Sequence, residues 1–194
     1  MTDQLRETVR AHYAAAARQV LDHTTDGAAT CCGDGCGCGP NTGAPVRLRR
    51  ATPRDLRPVT ELLTRAGLPL DGVDGAFATG VVAESGDGAV VGAAAVEAYG
   101  RAALLRSVVV DEVVRGTGLG TELVCRAEGL ACELGAAELY LLTETAAGFF
   151  PRLGYEAVPR NAAPGGIVTS REFSVACATT AVLMRRRIGA SSSD

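Results

Sequence analysis

Hydrophobic and polar positions change period several times along the chain, and each change marks an element. Leu5, Val9, Tyr13, Ala16 and Val20 recur at three- and four-residue steps with alanines between them. That spacing predicts a helix over residues 2–22, capped by Thr2 or Asp3. From Asp26 to Ala44 the periodicity gives way to glycines, threonines, Pro40 and Asn41, the composition of a flexible linker. Val46 to Ala51 alternates apolar and basic, the period of a strand. Thr52-Pro53-Arg54-Asp55 opens a helix with Thr52 as cap and Pro53 at its first position. Leu56, Val59, Leu62 and Leu63 form its stripe, and Gly67 closes it. Leu68 to Gly75 reads as a loop or a short second helix. Strands over Phe77–Glu84 and Ala89–Tyr99 flank a Gly86-Asp87-Gly88 hairpin turn. Gly100-Arg101 then turns into a strand from Leu104 to Val110. A helix over residues 118–134 aligns Leu119, Leu123, Ala127, Leu130 and Leu134, and Gly135 ends it. Leu139–Leu142 is a short buried strand and Thr145–Leu153 a short helix stopped by Gly154. A turn-rich stretch follows, then a short helix within Ile167–Cys177 and a last strand over Thr180–Arg187.

This order predicts an α+β fold, a mixed central sheet flanked by helices. The expected organisation is an N-terminal helix over residues 1–25, a Cys/Gly-rich linker over 26–45, one compact domain over 46–188 and a disordered tail over 189–194.

The stretch Leu104–Thr121, LLRSVVVDEVVRGTGLGT, joins an apolar strand to a helix through a glycine-rich bend. Such a bend turns free backbone N–H groups towards one point at the positive end of the helix, which is an anion site suited to phosphate. A Walker loop is excluded because no lysine follows the glycines. A dinucleotide fingerprint is excluded because the spacing is Gly-x-Gly-x-Gly with an arginine in front.

Composition narrows the class. The chain has 194 residues, 47% of them hydrophobic, enough for a core of ordinary size. A net charge of −3 and a pI near 5.5 argue against nucleic acid as a partner. No apolar run reaches the roughly 18–20 residues that span a bilayer, and the N-terminal residues lack a leader's basic end and apolar run. A soluble cytoplasmic protein is expected, with a homodimer as an open possibility. Of seven cysteines, Cys31, Cys32, Cys36 and Cys38 fall together in CCGDGCGC. In a reducing cytosol that cluster reads either as a soft-ion site for Zn²⁺, Cu(I) or As(III) or as a cysteine-rich tail without a ligand. Cys125 and Cys132, on the long helix, read as small packing residues.

Arg-Gly-x-Gly-x-Gly after a Val-rich strand resembles the acetyl-CoA loop of the GCN5-related N-acetyltransferases. The resemblance implies that fold and acetyl-CoA as cofactor. The amides of Arg115, Gly116, Thr117, Gly118, Leu119, Gly120 and Thr121 would then hold the coenzyme's pyrophosphate. Val108, Val109 and Val110 would carry the acetyl arm, with a backbone N–H there meeting the oxyanion. Thr143, Ala146, Phe149 and Phe150 would line the coenzyme. Many relatives place a tyrosine at Phe150 as acid for the leaving thiolate and an asparagine at Thr143, so this chain departs from the pattern at both.

Three segments resemble the arsenic-resistance N-acetyltransferases more narrowly: Glu97–Gly100 running into Leu104–Ser107, Leu141–Ala146 with Phe149-Phe150, and Thr169–Phe173 leading to Cys177. This implies a small amine acceptor, with the arsenical amino acid arsinothricin as leading candidate. The first helix and cysteine cluster resemble the head of bacterial arsenite methyltransferases, whose methyl-donor domain does not follow here.

Acetyl transfer to an amine needs a base, a positioned acceptor and donors for the oxyanion. Glu97 is the candidate base, sharing a strand face with Tyr99, a candidate proton donor. The other reading of Glu97 is a solvent-facing strand glutamate. Arg106 breaks an apolar strand, and a buried guanidinium needs an acidic partner, either the substrate or Glu97. Ser107, Arg101 and Arg160 complete the candidate substrate contacts, and the other reading of Arg101 is an exposed loop charge. Two other readings stay open: an arsenite-binding protein or metallochaperone working through its N-terminal cysteines, and an acetyltransferase for an ordinary amino acid or a protein N-terminus.

Overall fold

The computed structural model describes residues 46–144, 146, 148–173 and 180–188. The expected first helix, the linker with Cys31, Cys32, Cys36 and Cys38, Cys177 and the tail over 189–194 lie outside the described residues. One seven-stranded sheet organises the rest, in the order β1-β2-β3-β4-β5-β7-β6. Its strands are β1 Arg47–Arg50, β2 Gly80–Glu84, β3 Val90–Tyr99, β4 Ala102–Val110, β5 Glu138–Thr143, β6 Glu156–Ala157 and β7 Val182–Arg187. All neighbours run antiparallel except β4 and β5, which are parallel. The sheet is mixed, as the sequence predicts.

Alternation sends β-strand side chains to two faces, and a different layer covers each. One is packed by the helix α3, Leu119–Glu133, whose Leu119, Leu123, Ala127 and Leu130 meet Val81, Ala94, Val96, Ala103 and Leu105. The other is packed by α1, Leu56–Arg65, through Val59, Leu62 and Leu63, and by the single turn α2, Val73–Ala76, against Val82, Ala93, Ala95 and Val109. Ala residues dominate β3 where both layers press on it, which lets the helices approach closely. Gly92 is the extreme case, since a Cβ there would lie 2.8 Å from Leu123 Cδ1.

The chain enters α1 through a 3-10 turn, Pro53–Asp55, with Pro53 opening it as expected. The Asp55 carboxylate accepts from Thr52 N–H (2.7 Å) and Thr52 Oγ1 (2.8 Å), and Arg49 clamps it with two donors at 2.7 Å. Arg49 also donates to Glu84 on β2, so the connector is pinned to two strands.

The structure moves several predicted boundaries. Phe77–Thr79 is a 3-10 turn, not the start of β2, because Thr79 Oγ1 donates to the carbonyls of Ala76 and Val96. Of the helix expected over Thr145–Leu153, Phe150–Leu153 is a 3-10 turn with Pro151 in its first turn, while Thr145 and Ala147 lie outside the described residues. A single helical turn, α4, Gly165–Val168, starts just before the stretch expected to contain a short helix, and within that stretch residues 171–173 are helical. Cys125 is disulfide-bonded, beyond the packing role expected, and Cys132 Sγ donates to Ile188 O (3.4 Å). Among the described residues no helix is long and apolar enough to cross a membrane, and no group of three or more His, Cys, Asp and Glu could hold a metal ion.

Candidate active site

Strands β4 and β5 begin side by side and then part. Their pairing covers only Ala102–Leu104 against Glu138–Tyr140, although β4 continues to Val110 and β5 to Thr143. The gap between the diverging ends is a cavity of about 1110 Å³, lined by Leu105–Val110, Leu141–Glu144 and the glycine bend.

On its other side β4 is bulged. Ala95 pairs with Arg106 and Ala93 with Val109, so Ser107 and Val108 together oppose Ala94. Ser107 sits at φ 54°, the one non-glycine residue with positive φ among the described residues. A non-glycine residue there is strained, and such strain gathers at working sites. Ser107 and Val108 thus have no register partner in either ladder, and both line the cavity. Beyond the bulge, Asp111 N–H bonds to Val91 O, so alternation turns the polar groups of Val110 away from β3. Arg115 Nε donates to Val110 O (3.0 Å), which agrees with that direction.

At the end of β4 the chain makes a short 3-10 turn, Glu112–Val114, with Asp111 accepting from Val113 N–H. The glycine bend follows. Gly116 (φ 81°) and Gly118 (φ 94°) take left-handed conformations that glycine adopts without penalty. Gly118 is the N-cap of α3 and has no side chain to occupy the helix end. The N–H groups of Thr121 and Glu122 bond back to Gly118 O. Among the described residues the amides from Gly116 to Gly120 have no backbone acceptor, and the positive end of a 15-residue helix stands behind them. Gly120 faces Phe149, 3.4 Å from where its Cβ would be.

Most of the residues expected to meet the coenzyme share one cavity. Val108, Val109, Val110, Arg115, Gly116, Gly118, Gly120, Thr121, Thr143, Ala146, Phe149 and Phe150 all line the cavity. Leu119 and Thr117 do not. The Leu119 side chain is in the core, and Thr117 Oγ1 donates to Val114 O (2.8 Å). Thr143 Oγ1 accepts from Ala146 N–H, shaping the turn after β5. Phe150 is buried, edge-on to Phe149 (5.1 Å) and Tyr155 (5.6 Å). The Tyr155 hydroxyl is already given to Glu128 (2.9 Å) and is no part of the lining.

The polar residues of β3 and β4 assemble behind the bulge. Arg106, its side chain fully buried, donates through Nη1 to Glu97 Oε1 (2.6 Å), and its Nη2 lies 2.8 Å from Glu172 Oε2. The same nitrogen also donates to Asp71 O, while Nε is buried without an acceptor. Tyr99 OH donates to Glu97 Oε2 (2.6 Å). Burial, then the hydrogen bond to the Glu97 carboxylate, push the Tyr99 phenol up to about 12, so it remains a protonated donor at neutral pH.

Four expectations change here. Arg106 lines the cavity, but its charge is already shared by two carboxylates, so of the two partners foreseen it takes Glu97. Glu97 and Tyr99 do share a face, yet neither lines the cavity; they stand behind Arg106. Arg101 is exposed in the β3–β4 turn, at the end of β4 remote from the bulge, where its carbonyl accepts from Ala137 and Glu138. Arg160 donates to Ala181 O and Phe173 O and lies 4.6 Å from the Phe173 ring centroid, tying loops together rather than meeting a substrate. Among the charged lining residues, the sequence reading missed Glu144, Arg152 and Glu172. The signal for Glu172 was available in principle, because a buried arginine needs acids. Only the fold shows which distant acid arrives.

Comparison with known proteins agrees with this geometry. Residues 77–157 match the family model described as an acetyltransferase (GNAT) domain. An uncharacterized N-acetyltransferase of Chlorobaculum tepidum is 37% identical over 78 residues, 40% of this chain and 50% of that protein. The chain thus spans about half the length of that curated relative. Among solved structures, N-acetylglutamate synthase from Neisseria gonorrhoeae, complexed with coenzyme A and N-acetyl-glutamate, superposes with a TM-score of 0.64 at 18% identity. It covers 75% of this chain and 35% of its own. A Mycobacterium tuberculosis protein solved in complex with CoA gives 0.62 at 22% identity, over 73% of this chain and 98% of its own. The matched residues 77–157 hold the parted strands and the glycine bend, and the described residues share the fold of these acetyltransferase (GNAT) structures.

Proposed function

We propose that this chain is an acetyl-CoA-dependent N-acetyltransferase acting on the amine of a small molecule. The observation that carries the proposal is the meeting of three donor sets on one cavity. These are the amides of Gly116–Gly120 at the α3 N-terminus, the outward polar groups of Val110, and the unpaired Ser107-Val108 bulge. The first suits a pyrophosphate and the second an extended amide-bearing arm lying along β4. Arg115 and Arg152 add cations at the same cavity. Bound there, acetyl-CoA supplies the activated acetyl group. The amides of Ser107 and Val108 supply N–H donors for the carbonyl oxygen on which charge grows during transfer. Phe149 and Phe150 exclude water from the wall opposite. With Phe150 in place of a tyrosine, the ring at this position gives no proton to the leaving thiolate. Glu97 and Tyr99 act as positioning residues, through Arg106.

The acceptor we propose is a small amino-acid-like amine of the arsinothricin type, in arsenic resistance. The resemblance of the three segments around Glu97–Ser107, Leu141–Phe150 and Thr169–Cys177 supports this. Acetyl-CoA consumption with arsinothricin, phosphinothricin and L-glutamate as acceptors tests it. The expected result is N-acetylated product with arsinothricin the fastest. Equal or faster turnover of glutamate removes the arsenical assignment, and no turnover of any amine removes the activity.

A further inference from the structure

Ser107 is strained at a position where glycine would not be. A bulge whose first residue takes the left-handed region is ordinarily built on glycine, which adopts it without penalty. Among the described residues this chain places glycine at eight other positive-φ positions and serine at this one, φ 54°. The Cβ costs backbone energy here, and what it carries is a hydroxyl.

That hydroxyl is available. Among the described residues Ser107 Oγ makes no hydrogen bond, and the one buried side-chain nitrogen or oxygen without a partner is Arg106 Nε. Ser107 Oγ is therefore not sealed in the core, and Ser107 is half-buried on the wall of the cavity. Three hydroxyl residues line that cavity, Ser107, Thr121 and Thr143. Thr121 stands in the first turn of α3, at the glycine bend, and Thr143 Oγ1 is engaged by Ala146 N–H at the end of β5. Only Ser107 belongs to β4, in the bulge whose amides are free of both ladders. No aromatic ring offers a proton in its stead. Phe149 and Phe150 have no donor, and Tyr99 OH is given to Glu97 outside the lining.

We infer that the Ser107 hydroxyl is a catalytic donor, which hydrogen-bonds to the thioester carbonyl oxygen and stabilises the negative charge that grows there. This rests on the acetyltransferase reading and deepens it, by adding a side-chain donor to the amides of the bulge. In the transfer, the amine nitrogen forms a bond to the thioester carbon and the carbonyl π pair moves on to oxygen. When that pair returns, the C–S bond breaks and its electrons leave on the coenzyme A sulfur. The proton that the nitrogen sheds reaches this sulfur by way of water. Ser107 keeps its own proton throughout. Its hydrogen bond strengthens as charge develops on the oxygen, so it lowers the barrier more than it tightens binding.

The test is single-turnover acetyl transfer by the full chain in excess over acetyl-CoA, with arsinothricin, phosphinothricin or L-glutamate saturating. Steady-state KM values and thermal unfolding accompany it. Ser107→Ala removes the hydroxyl and keeps the Cβ. Ser107→Gly removes both and relieves the backbone. Each should slow transfer by about a hundredfold, the scale of one lost oxyanion donor. The factor should be the same for every acceptor that turns over, because the charge develops on the acetyl group. KM values for amine and acetyl-CoA should stay within about threefold of wild type. The Ser107→Gly chain should also melt no lower than wild type, so that rate and stability part company as they would not for a purely structural residue. Wild-type rates in either variant overturn the assignment of Ser107. So does a loss confined to the amine KM, which would make Ser107 an acceptor contact, or slowing matched by a lower melting temperature in both variants. No turnover of any amine by the wild-type chain overturns the acetyltransferase reading, and this inference with it.

Discussion

Arg106 shows how one residue carries both structure and chemistry. Its guanidinium is fully buried and holds two carboxylates and a carbonyl from three separate segments. Replacing one member of a buried charge cluster is costly because the others keep their desolvation penalty. Arg106→Ala removes the cation that Glu97 and Glu172 share, and should cost about 3 kcal/mol or more of stability. Denaturant unfolding checks this, and an unchanged midpoint would show that the cluster carries little energy. At this scale the sequence was half legible. Arg106 and Ser107 stood out as polar breaks in an apolar strand, and both proved special, one as the hub and one as the strained bulge residue. Glu97 was legible as a candidate partner of Arg106, but Glu172 was not, because it reaches Arg106 only through the path of the chain after α4. The same limit misplaced Arg101 and Arg160. An arginine in a turn looks alike in sequence whether it faces a cavity or caps a neighbouring strand.

At the scale of elements, the glycine bend was the most legible feature. Its glycines fall where the backbone needs positive φ and where the helix end must stay uncapped. Strand limits were less so. β2 starts later than its apolar run because Thr79 hydrogen bonds close a turn, and β6 has two residues, too few for any period to show. The contact between α3 and the sheet has a specific weak point at Gly92. A Cβ there meets Leu123 Cδ1 at 2.8 Å and Val109 O at 3.2 Å. Gly92→Ala should therefore push α3 away from β3 and cost about 1–3 kcal/mol, as overpacked cores do. Thermal unfolding measures it. A melting temperature at or above the wild-type value would mean that α3 shifts freely, and that the bend at its N-terminus is not rigidly placed.

For the molecule as a whole, the parting of β4 and β5 makes the site, and it was not legible. Both strands read as ordinary apolar runs, and where their pairing stops depends on the bulge and on what packs behind each strand. Acid stability is another property of the whole. Hydrogen bonding by Arg49, offset in part by burial, holds the Asp55 carboxyl at about 2, below its usual range. A depressed carboxylate adds stability that is fully present above its unfolded pKa and is lost as pH falls through the folded one. The wild-type chain should lose about 1–2 kcal/mol from this site between pH 4 and pH 2. Asp55→Asn should flatten that part of the stability curve, and equal slopes would show that the Arg49 clamp does not matter to folding.

The gap between β4 and β5, closed by the Gly116–Gly120 amides, is the proposed site for the phosphates of acetyl-CoA. Calorimetric titration of coenzyme A into the wild-type chain and Gly118→Asp tests it most directly. No atom lies within 4 Å of a Cβ at Gly118, so bulk is not the issue. The substitution instead places a non-glycine residue at φ 94° and a carboxylate over the amides meant for phosphate. The wild-type chain should bind 1:1, and the variant at least about tenfold more weakly, a loss of about 1.4 kcal/mol. Absence of binding to the wild-type chain, or equal affinity for both, would contradict it.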